Sequence, residues 1–121
     1  MKDGLYHQKI GLPAGACQPF VGVFSLLLLQ HARQASANDR YGRIEIEDGD
    51  EVEVFESDIV ELEVRGGQSV KAVVRLQYDE RRDIVVVLNR PVAGEASVRT
   101  AWFNLKSDQH RTLRQELYSK P

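Results

Sequence analysis

The residues with the clearest chemical potential lie near the C-terminus, in the segment 98–118, which reads VRTAWFNLKSDQHRTLRQELY. An apolar stretch with the only tryptophan, Trp102, leads there into a polar run that contains Lys106, His110 and Arg111. A histidine has an unperturbed pKa of about 6.5, so it can take up and release a proton near neutral pH. Cationic side chains on a rigid sheet can hold phosphates. The segment therefore has the residue types of a phosphate site, and equally those of a solvated C-terminus.

Further cations are predicted on the same face of a sheet. Strand alternation places Lys71 and Arg75 opposite the core, and Arg99 alternates with apolar neighbours in the last strand. If they converge with the segment around His110, RNA could be cleaved without a metal. A base would take the 2′-OH proton, an acid would protonate the leaving 5′-oxygen, and a cation would stabilise the charge on phosphorus. The alternative is that Lys71 and Arg75 only neutralise acidic strands.

Composition limits the class of protein. A chain of 121 residues with 42% hydrophobic and 28% charged residues is one globular domain that can bury a core. The single Cys17 excludes an intramolecular disulfide, and no Cys/His cluster has zinc spacing, so we expect no metal and no cofactor. A reducing compartment such as the cytoplasm fits. The apolar run at 20–29 is shorter than the about 20 residues of a membrane span, so we expect no membrane partner.

Charge is distributed unevenly along the chain. Residues 45–63 contain ten Asp or Glu and no Lys or Arg, whereas the residues after 63 have a net charge of +5. These charges can pair across strands or solvate one face. Alternatively, the basic half forms a polyanion-binding surface. In a third interpretation, the acidic segment presents carboxylates to a basic protein partner.

The first 38 residues are predicted to form an arm and a helix. Residues 1–18 contain three glycines and Pro13 without a sustained period, which predicts an irregular arm. A helix is predicted from about Pro19 to Asn38, with Pro19 in its first turn and its apolar first half buried. The A-x-A sequence at 35–37 leaves open a secretory signal that is cleaved after it.

From Arg43 onwards the hydrophobic period is two, which predicts strands. Ile44 and Ile46 alternate with glutamates before an Asp48-Gly49 turn, and further strands are predicted near 52–54, 60–65, 70–78, 84–88 and 96–105. The run at 84–88 is continuously apolar, as in a strand covered on both faces. The sequence predicts one α+β domain over 19–121, with an N-terminal helix packed on an antiparallel meander sheet of four to six strands.

The register of the hairpin around Gly66-Gly67 can be predicted from its apolar positions. Opposed residues of an antiparallel pair share a face, so apolar residues must face apolar residues. A three-residue loop satisfies this condition, whereas a two-residue loop would set Glu63 against Val70. The predicted pairs are Val64 with Val70, Leu62 with Ala72, Val60 with Val74, and Glu63 with Lys71.

The order of several short motifs resembles a known group. His31-Ala32, the segment 38–42 (NDRYG), the segment 100–104 (TAWFN), the segment 110–113 (HRTL) and Tyr118 resemble small bacterial and phage proteins that are distantly similar to RelE/ParE-like toxins and related ribonuclease folds. The similarity covers residues 30–121 by motif order. It implies an RNA-cleaving or RNA-binding ancestry, with functional roles for His31, Arg40, His110 and Thr112, and for Asn104 and Tyr118.

Two functions follow as hypotheses. The first is a small RNA-binding or RNA-cleaving domain that uses a basic sheet face. If it cleaves RNA, it would be a metal-independent endoribonuclease. Its candidate catalytic residues are His110, Arg75, His31, Arg40 and Thr112. Its candidate substrate-binding residues are Lys71, Arg99, Asn104, Lys106, Arg111 and Tyr118. The second is a non-catalytic interaction protein that binds a host protein through an acidic hairpin at 45–63, or another subunit through the apolar run at 20–29. The oligomeric state stays open.

Overall fold

The computed structural model describes residues 4–6 and 15–107 of the chain. These residues form one mixed sheet and one α-helix. The strands are β1 (Gly4–Tyr6), β2 (Gly22–Leu28), β3 (Glu51–Val54), β4 (Ile59–Arg65), β5 (Gln68–Gln77), β6 (Arg82–Asn89) and β7 (Glu95–Leu105), and the helix is α1 (Gln30–Ala37). Short 3-10 turns at Gln18–Phe20 and Glu56–Asp58 precede β2 and β4.

The fold class α+β is confirmed, but the prediction of a purely antiparallel sheet is wrong. The strand order is β1-β4-β5-β6-β7-β2-β3, which makes six strands and the three-residue β1. The strands β4 to β7 form the predicted meander, whereas β2 pairs with β7 in parallel. A parallel pair is possible because β2 lies far from β7 in the sequence and needs no hairpin. Part of the predicted irregular arm, β1, pairs antiparallel with β4.

The predicted helix over residues 19–38 is wrong in its first half. Residues 22–28 form β2, in which Phe24, Leu26 and Leu28 are buried while Val23 and Leu27 are exposed. A short apolar run fits a buried strand and a buried helix equally well by periodicity. Here the strand forms because β7 and β3 both offer backbone partners to it. The helix is confined to α1, and Asn38 is its C-cap residue.

The core lies inside the curled sheet. Inward side chains of β2 to β7 form one cluster with Phe20, which is fully buried, and α1 adds Ala32 to it. The apolar stretch that predicted the first half of a helix, or a secretory signal, forms β2, and its Phe24, Leu26 and Leu28 belong to this cluster. The strand β6 is buried from Asp83 to Leu88, which confirms the prediction of a strand covered on both faces.

The register of the β4–β5 hairpin is confirmed in its middle, but the three-residue loop is wrong. Glu63 faces Lys71 and Leu62 faces Ala72, as predicted. The turn has only two residues, Gly66 and Gly67, with φ of 58° and 75°. Two successive positive φ values are those of a type I′ turn, whose twist matches the flanking strands.

Two bulges, one in β5 at Val70 and one in β4 at Val60, reconcile the short turn with the register. One bulge between Glu63 and Val64 pairs Val64 with Ser69 instead of Val70. A second bulge near Val60 pairs Ile59, and not Val60, with Val74. Each extra residue shifts the pairing by one position. The bulge in β4 thereby sets Ile59 opposite Val74, and both belong to the core cluster.

The acidic segment 45–63 is not a hairpin, and no strand forms over Ile44 and Ile46, contrary to prediction. The loop after α1 turns at residues 47–50, where Gly49 has φ of 89°, and donates from its backbone to β2 through Gly49. The chain then continues as β3, which lies at the edge of the sheet and exposes Glu51 and Glu53. The aspartate of this turn, Asp48, accepts a hydrogen bond of 2.8 Å from the backbone N–H of Leu28. The predicted turn at Asp48-Gly49 is therefore confirmed.

Candidate functional site

A concavity of about 1060 Å³ lies on the face of the sheet opposite the core. Cross-strand pairs build its floor and walls in two rows. The first row runs Glu61–Val73–Val87–Thr100 across β4 to β7, and the second runs Arg75–Val85–Trp102 across β5 to β7. Val85 and Val87 are buried although they lie outside the core cluster, and Trp102 is half-buried. The concavity therefore combines an aliphatic floor with one aromatic wall.

A β-bulge in β7 puts Trp102 on this face. Leu88 pairs with Val98 and Val87 pairs with Thr100, so Arg99 is the extra residue of the bulge. Before the bulge Ala96 and Val98 point into the core, and after it Ala101 and Phe103 do. Because side chains alternate along a strand, an unbulged β7 would have sent Trp102 into the core.

The start of α1 closes one side of the concavity. The backbone N–H of Leu29 donates to the carbonyl oxygen of Val98 over 3.1 Å, which holds the chain beside β7 where β2 ends. Leu29 and His31 consequently line the concavity next to the half of β7 that carries Trp102. Val60, the residue at the bulge of β4, lines the opposite side.

Two of the predicted phosphate-binding cations are held by one carboxylate. Arg75 Nε lies 2.8 Å from Asp83 Oδ2, and Lys106 Nζ lies 2.6 Å from Asp83 Oδ1. The Arg75 side chain is fully buried, and its Nη2 also donates to the carbonyl oxygen of Leu105 over 3.0 Å. Burial opposes ionisation of Asp83, but the hydrogen bonds from Lys106 and Arg75 outweigh it and lower the pKa of Asp83. This cluster ties β5, β6 and the end of β7 together.

A third predicted cation, Lys71, is also paired. Its Nζ lies 3.0 Å from Glu63 Oε1, which confirms the predicted cross-strand pair. Glu63 also pairs with Arg65. The hydrogen bond from Arg65, followed by that from Lys71, lowers the pKa of Glu63. In contrast, Arg99 is exposed and makes no ion pair with any described residue.

A second groove, of about 540 Å³, separates α1 from β7 and contains the predicted residue Arg40. Asp39 holds this loop in place: its Oδ1 accepts from the backbone N–H of Phe103 over 3.2 Å, and its Oδ2 accepts from that of Tyr41 over 3.0 Å. The guanidinium of Arg40 lies 4.7 Å from the centre of the Tyr41 ring. Asp39 therefore accepts a hydrogen bond from the backbone of β7 at Phe103, beyond the residues of β7 that pair with β2.

The structure brings together some of the predicted site residues and separates others. Four of them line the concavity: His31, Lys71, Arg99 and Asn104. Arg75 and Lys106 belong to the ion cluster around Asp83, and Arg40 lies in the second groove. Four others lie outside the described residues: His110, Arg111, Thr112 and Tyr118.

The sequence predicts a strand at Trp102 but does not assign this residue to the site. The signal that could have found it is the phase change between Val98 and Ala101, where the apolar alternation of β7 moves from even to odd positions. A phase change within a strand indicates a bulge, and a bulge moves every later side chain to the other face.

Comparisons with known proteins give no relative from which a function could be carried over. No protein-family model, no curated protein and no solved structure matches this chain. Within residues 4–6 and 15–107, no helix is long and apolar enough to cross a membrane. The same residues contain no group of three or more His, Cys, Asp or Glu side chains that could hold a metal ion. The resemblance to RelE/ParE-like toxins stays a prediction.

Proposed function

We propose that this protein is a binding domain that takes up a flat, largely apolar ring in the concavity of its sheet. The observation that carries the proposal is the position of Trp102, half-buried at the wall of a concavity whose floor is formed by Val73, Val85 and Val87. Ligand sites in proteins are concave, mostly apolar, and about 300–1,000 Å³ in volume, with a few polar groups that orient the ligand. The concavity fits this description.

A bound ring would gain binding free energy from Trp102 and from the valine floor. An aromatic ring packs on another in an offset or edge-to-face arrangement, which is worth about 0.5–1.5 kcal/mol beyond the area that it buries. The valine floor adds about 25 cal/mol for each Å² of apolar surface removed from water. Because β5, β6 and β7 are paired along their length, the two surfaces are held in place before the ligand arrives.

RNA binding is the second candidate, and a specific feature favours it. Proteins that bind single-stranded RNA stack bases on aromatic side chains of an open sheet face and place cations nearby. Here Trp102 supplies the aromatic side chain and Arg99 supplies the cation. The ion pairs of Lys71, Arg75 and Lys106 count against a long phosphate-binding track. RNA cleavage of the RelE-like type is a separate proposal, which depends on His110 and Thr112 outside the described residues.

A neutral fluorescent ring tests the proposal directly. N-phenyl-1-naphthylamine emits strongly only in apolar surroundings and absorbs where tryptophan emits. Because Trp102 is the only tryptophan of the chain, all energy transfer to the probe starts from this side chain and becomes stronger the closer the probe lies to it. We expect the tryptophan emission to fall and the probe emission to rise in a saturable titration.

Paired variants locate the probe. We expect Trp102→Ala to weaken binding of the probe roughly five- to hundredfold, since stacking on an aromatic side chain is worth about 1–3 kcal/mol. Binding to this variant is measured by exciting the probe directly, because the variant has no tryptophan. The control is Phe55→Ala, which removes an aromatic ring that is 56% exposed and does not line the concavity. Equal probe affinity in Trp102→Ala and the wild type, with both folded by circular dichroism, would refute the proposal. So would the absence of any probe binding, as expected if another part of the chain or a second copy covers this face.

A further inference from the structure

We infer that the ligand of the concavity carries an anionic group and that Arg99 binds it. This inference rests on the proposed function and specifies the class of ligand: a flat ring with a carboxylate or phosphate at one end. Arg99 lines the concavity together with Thr100, its neighbour in the sequence. An arginine holds a carboxylate or phosphate through two parallel hydrogen bonds, and the threonine hydroxyl can donate a further one.

The bulge in β7 explains why these two neighbours share a wall. In a regular strand, successive side chains point to opposite faces of the sheet. Arg99 is the unpaired residue of the bulge, and Thr100 already belongs to the row with Val87 on the concave side. Bulges occur preferentially near binding and active sites, where they redirect a side chain. The same irregularity thus places the aromatic wall and the cation on one strand.

Charge pairing singles out Arg99 among the cations of this face. Lys71 is neutralised by Glu63, and Arg75 and Lys106 share Asp83. Arg99 is exposed and has no carboxylate partner among the described residues, so an anionic ligand would not have to displace one. Desolvating a cation without a partner is costly, whereas a ligand anion compensates for it.

The charge of Arg99 also orients the ligand. Glu61 lies on β4 at the far end of the row that reaches Thr100 on β7. Three strand spacings separate them, which is about 14 Å along the sheet. An anionic group is attracted to the Arg99 end of the concavity. The ring then lies over Val73 and Val87, between the two ends.

A pair of probes that differ by one charge tests the inference. The compound 8-anilinonaphthalene-1-sulfonate has the ring system of N-phenyl-1-naphthylamine plus a sulfonate, which stands in for the carboxylate or phosphate. We expect the wild type to bind the anionic probe more tightly. We expect Arg99→Gln to weaken the anionic probe about tenfold, the effect of one charge-assisted hydrogen bond, and to leave the neutral probe unchanged.

A matched control separates a local contact from net charge. Arg43→Gln removes the same charge from an exposed arginine that lies outside the concavity, next to Ile44. We expect it to leave the ratio of the two affinities unchanged, whereas Arg99→Lys should retain part of the preference. An equal loss in Arg43→Gln and Arg99→Gln, or no preference in the wild type, would overturn the inference. Saturable binding of the neutral probe would in that case leave the proposed function standing.

Displacement of the bound anionic probe distinguishes the two sources of the anion. Displacement by 2-naphthoate supports an aromatic carboxylate, and displacement by adenosine or uridine 5′-monophosphate supports a nucleotide. In either case Arg99→Gln should weaken the anionic competitor about tenfold when it displaces the neutral probe, and the neutral compounds naphthalene and adenosine should compete less well against the wild type. Failure of the carboxylate and of both nucleotides to displace the probe would overturn the assigned ligand class.

Discussion

Replacing Asp83 by asparagine tests whether Arg75 is a structural residue or a ligand-binding one. Asp83 accepts hydrogen bonds from Arg75 at 2.8 Å and from Lys106 at 2.6 Å, and the Arg75 side chain is fully buried. Removing one partner of a buried ion pair costs about 3–5 kcal/mol, because the other charge keeps its desolvation penalty. The retained hydrogen bond from Arg75 to Leu105 and the part-exposed Lys106 place the expected loss near the lower end, about 3 kcal/mol.

The assay is reversible unfolding in urea, supported by thermal scans. For a domain of this size a loss of about 3 kcal/mol corresponds to a fall in Tm of roughly 10 °C. The matched control is Asp48→Asn, in which the amide oxygen still accepts from the backbone N–H of Leu28 and only the surface pair with Arg33 is lost, where both side chains are about half exposed. A surface pair of this kind contributes about 0–1 kcal/mol.

A double-mutant cycle completes the test. With Arg75→Met in the background, Asp83→Asn no longer strands a buried guanidinium, so we expect the double variant to be more stable than the sum of the two single losses by about 2 kcal/mol. The reasoning is refuted if Asp83→Asn costs no more than Asp48→Asn, or if the losses simply add. Arg75 would then have to be reconsidered as a residue available to a ligand.

Two further predictions concern single positions. Gly42→Ala should lower the free energy of unfolding in urea by about 2 kcal/mol, because Gly42 has φ of 122° and an added Cβ would lie 2.7 Å from Arg82 Nη1. The control is Gly49→Ala, which should cost less because Gly49 has φ of 89° but lies in open space. The hydrogen bond from the Arg82 side chain, followed by that from the backbone N–H of Arg81, lowers the pKa of Asp79 to about 2. Because this pKa lies below the unfolded value of about 3.9, the stabilisation is present above that value and lost as the pH falls towards about 2, so Asp79→Asn should flatten the dependence of stability on pH in that range. Equal slopes for Asp79→Asn and the wild type would contradict the assignment.

The sequence predicts most of the meander because its apolar residues recur with a period of two. It also predicts the pair of Glu63 with Lys71, since only one register keeps apolar residues on one face. The predicted loop length was wrong because Gly66-Gly67 favours a two-residue type I′ turn, and a bulge at Val70 in β5 takes up the residue that the longer loop would have contained. The turn thus keeps the conformation that its two glycines favour, and the strands keep the predicted register beyond the bulge.

The sequence does not predict β2 or its parallel pairing with β7. The residues of β2 are apolar nearly throughout, so no period distinguishes a strand from a helix there. What decides is the open edge of β7 between Glu95 and Val98, which is a property of the folded sheet. Parallel pairing in turn places α1 beside the second half of β7 and brings His31 to the concavity.

The candidate site was predictable only in part, for a related reason. The alternation of β5 correctly puts Lys71 and Arg75 opposite the core, but it does not show that carboxylates on β4 and β6 neutralise them. Those partners come from cross-strand neighbours, which depend on register. Trp102 was missed because the bulge at Arg99 reverses the alternation of β7.

The most direct test of the central claim is the emission of Trp102 during a titration with N-phenyl-1-naphthylamine. If a flat ring enters the concavity against this side chain, tryptophan emission falls saturably as probe emission rises, and Phe55→Ala behaves as the wild type does. Tryptophan emission that stays constant while the probe binds elsewhere, or probe affinity that is unchanged in Trp102→Ala, would contradict the claim.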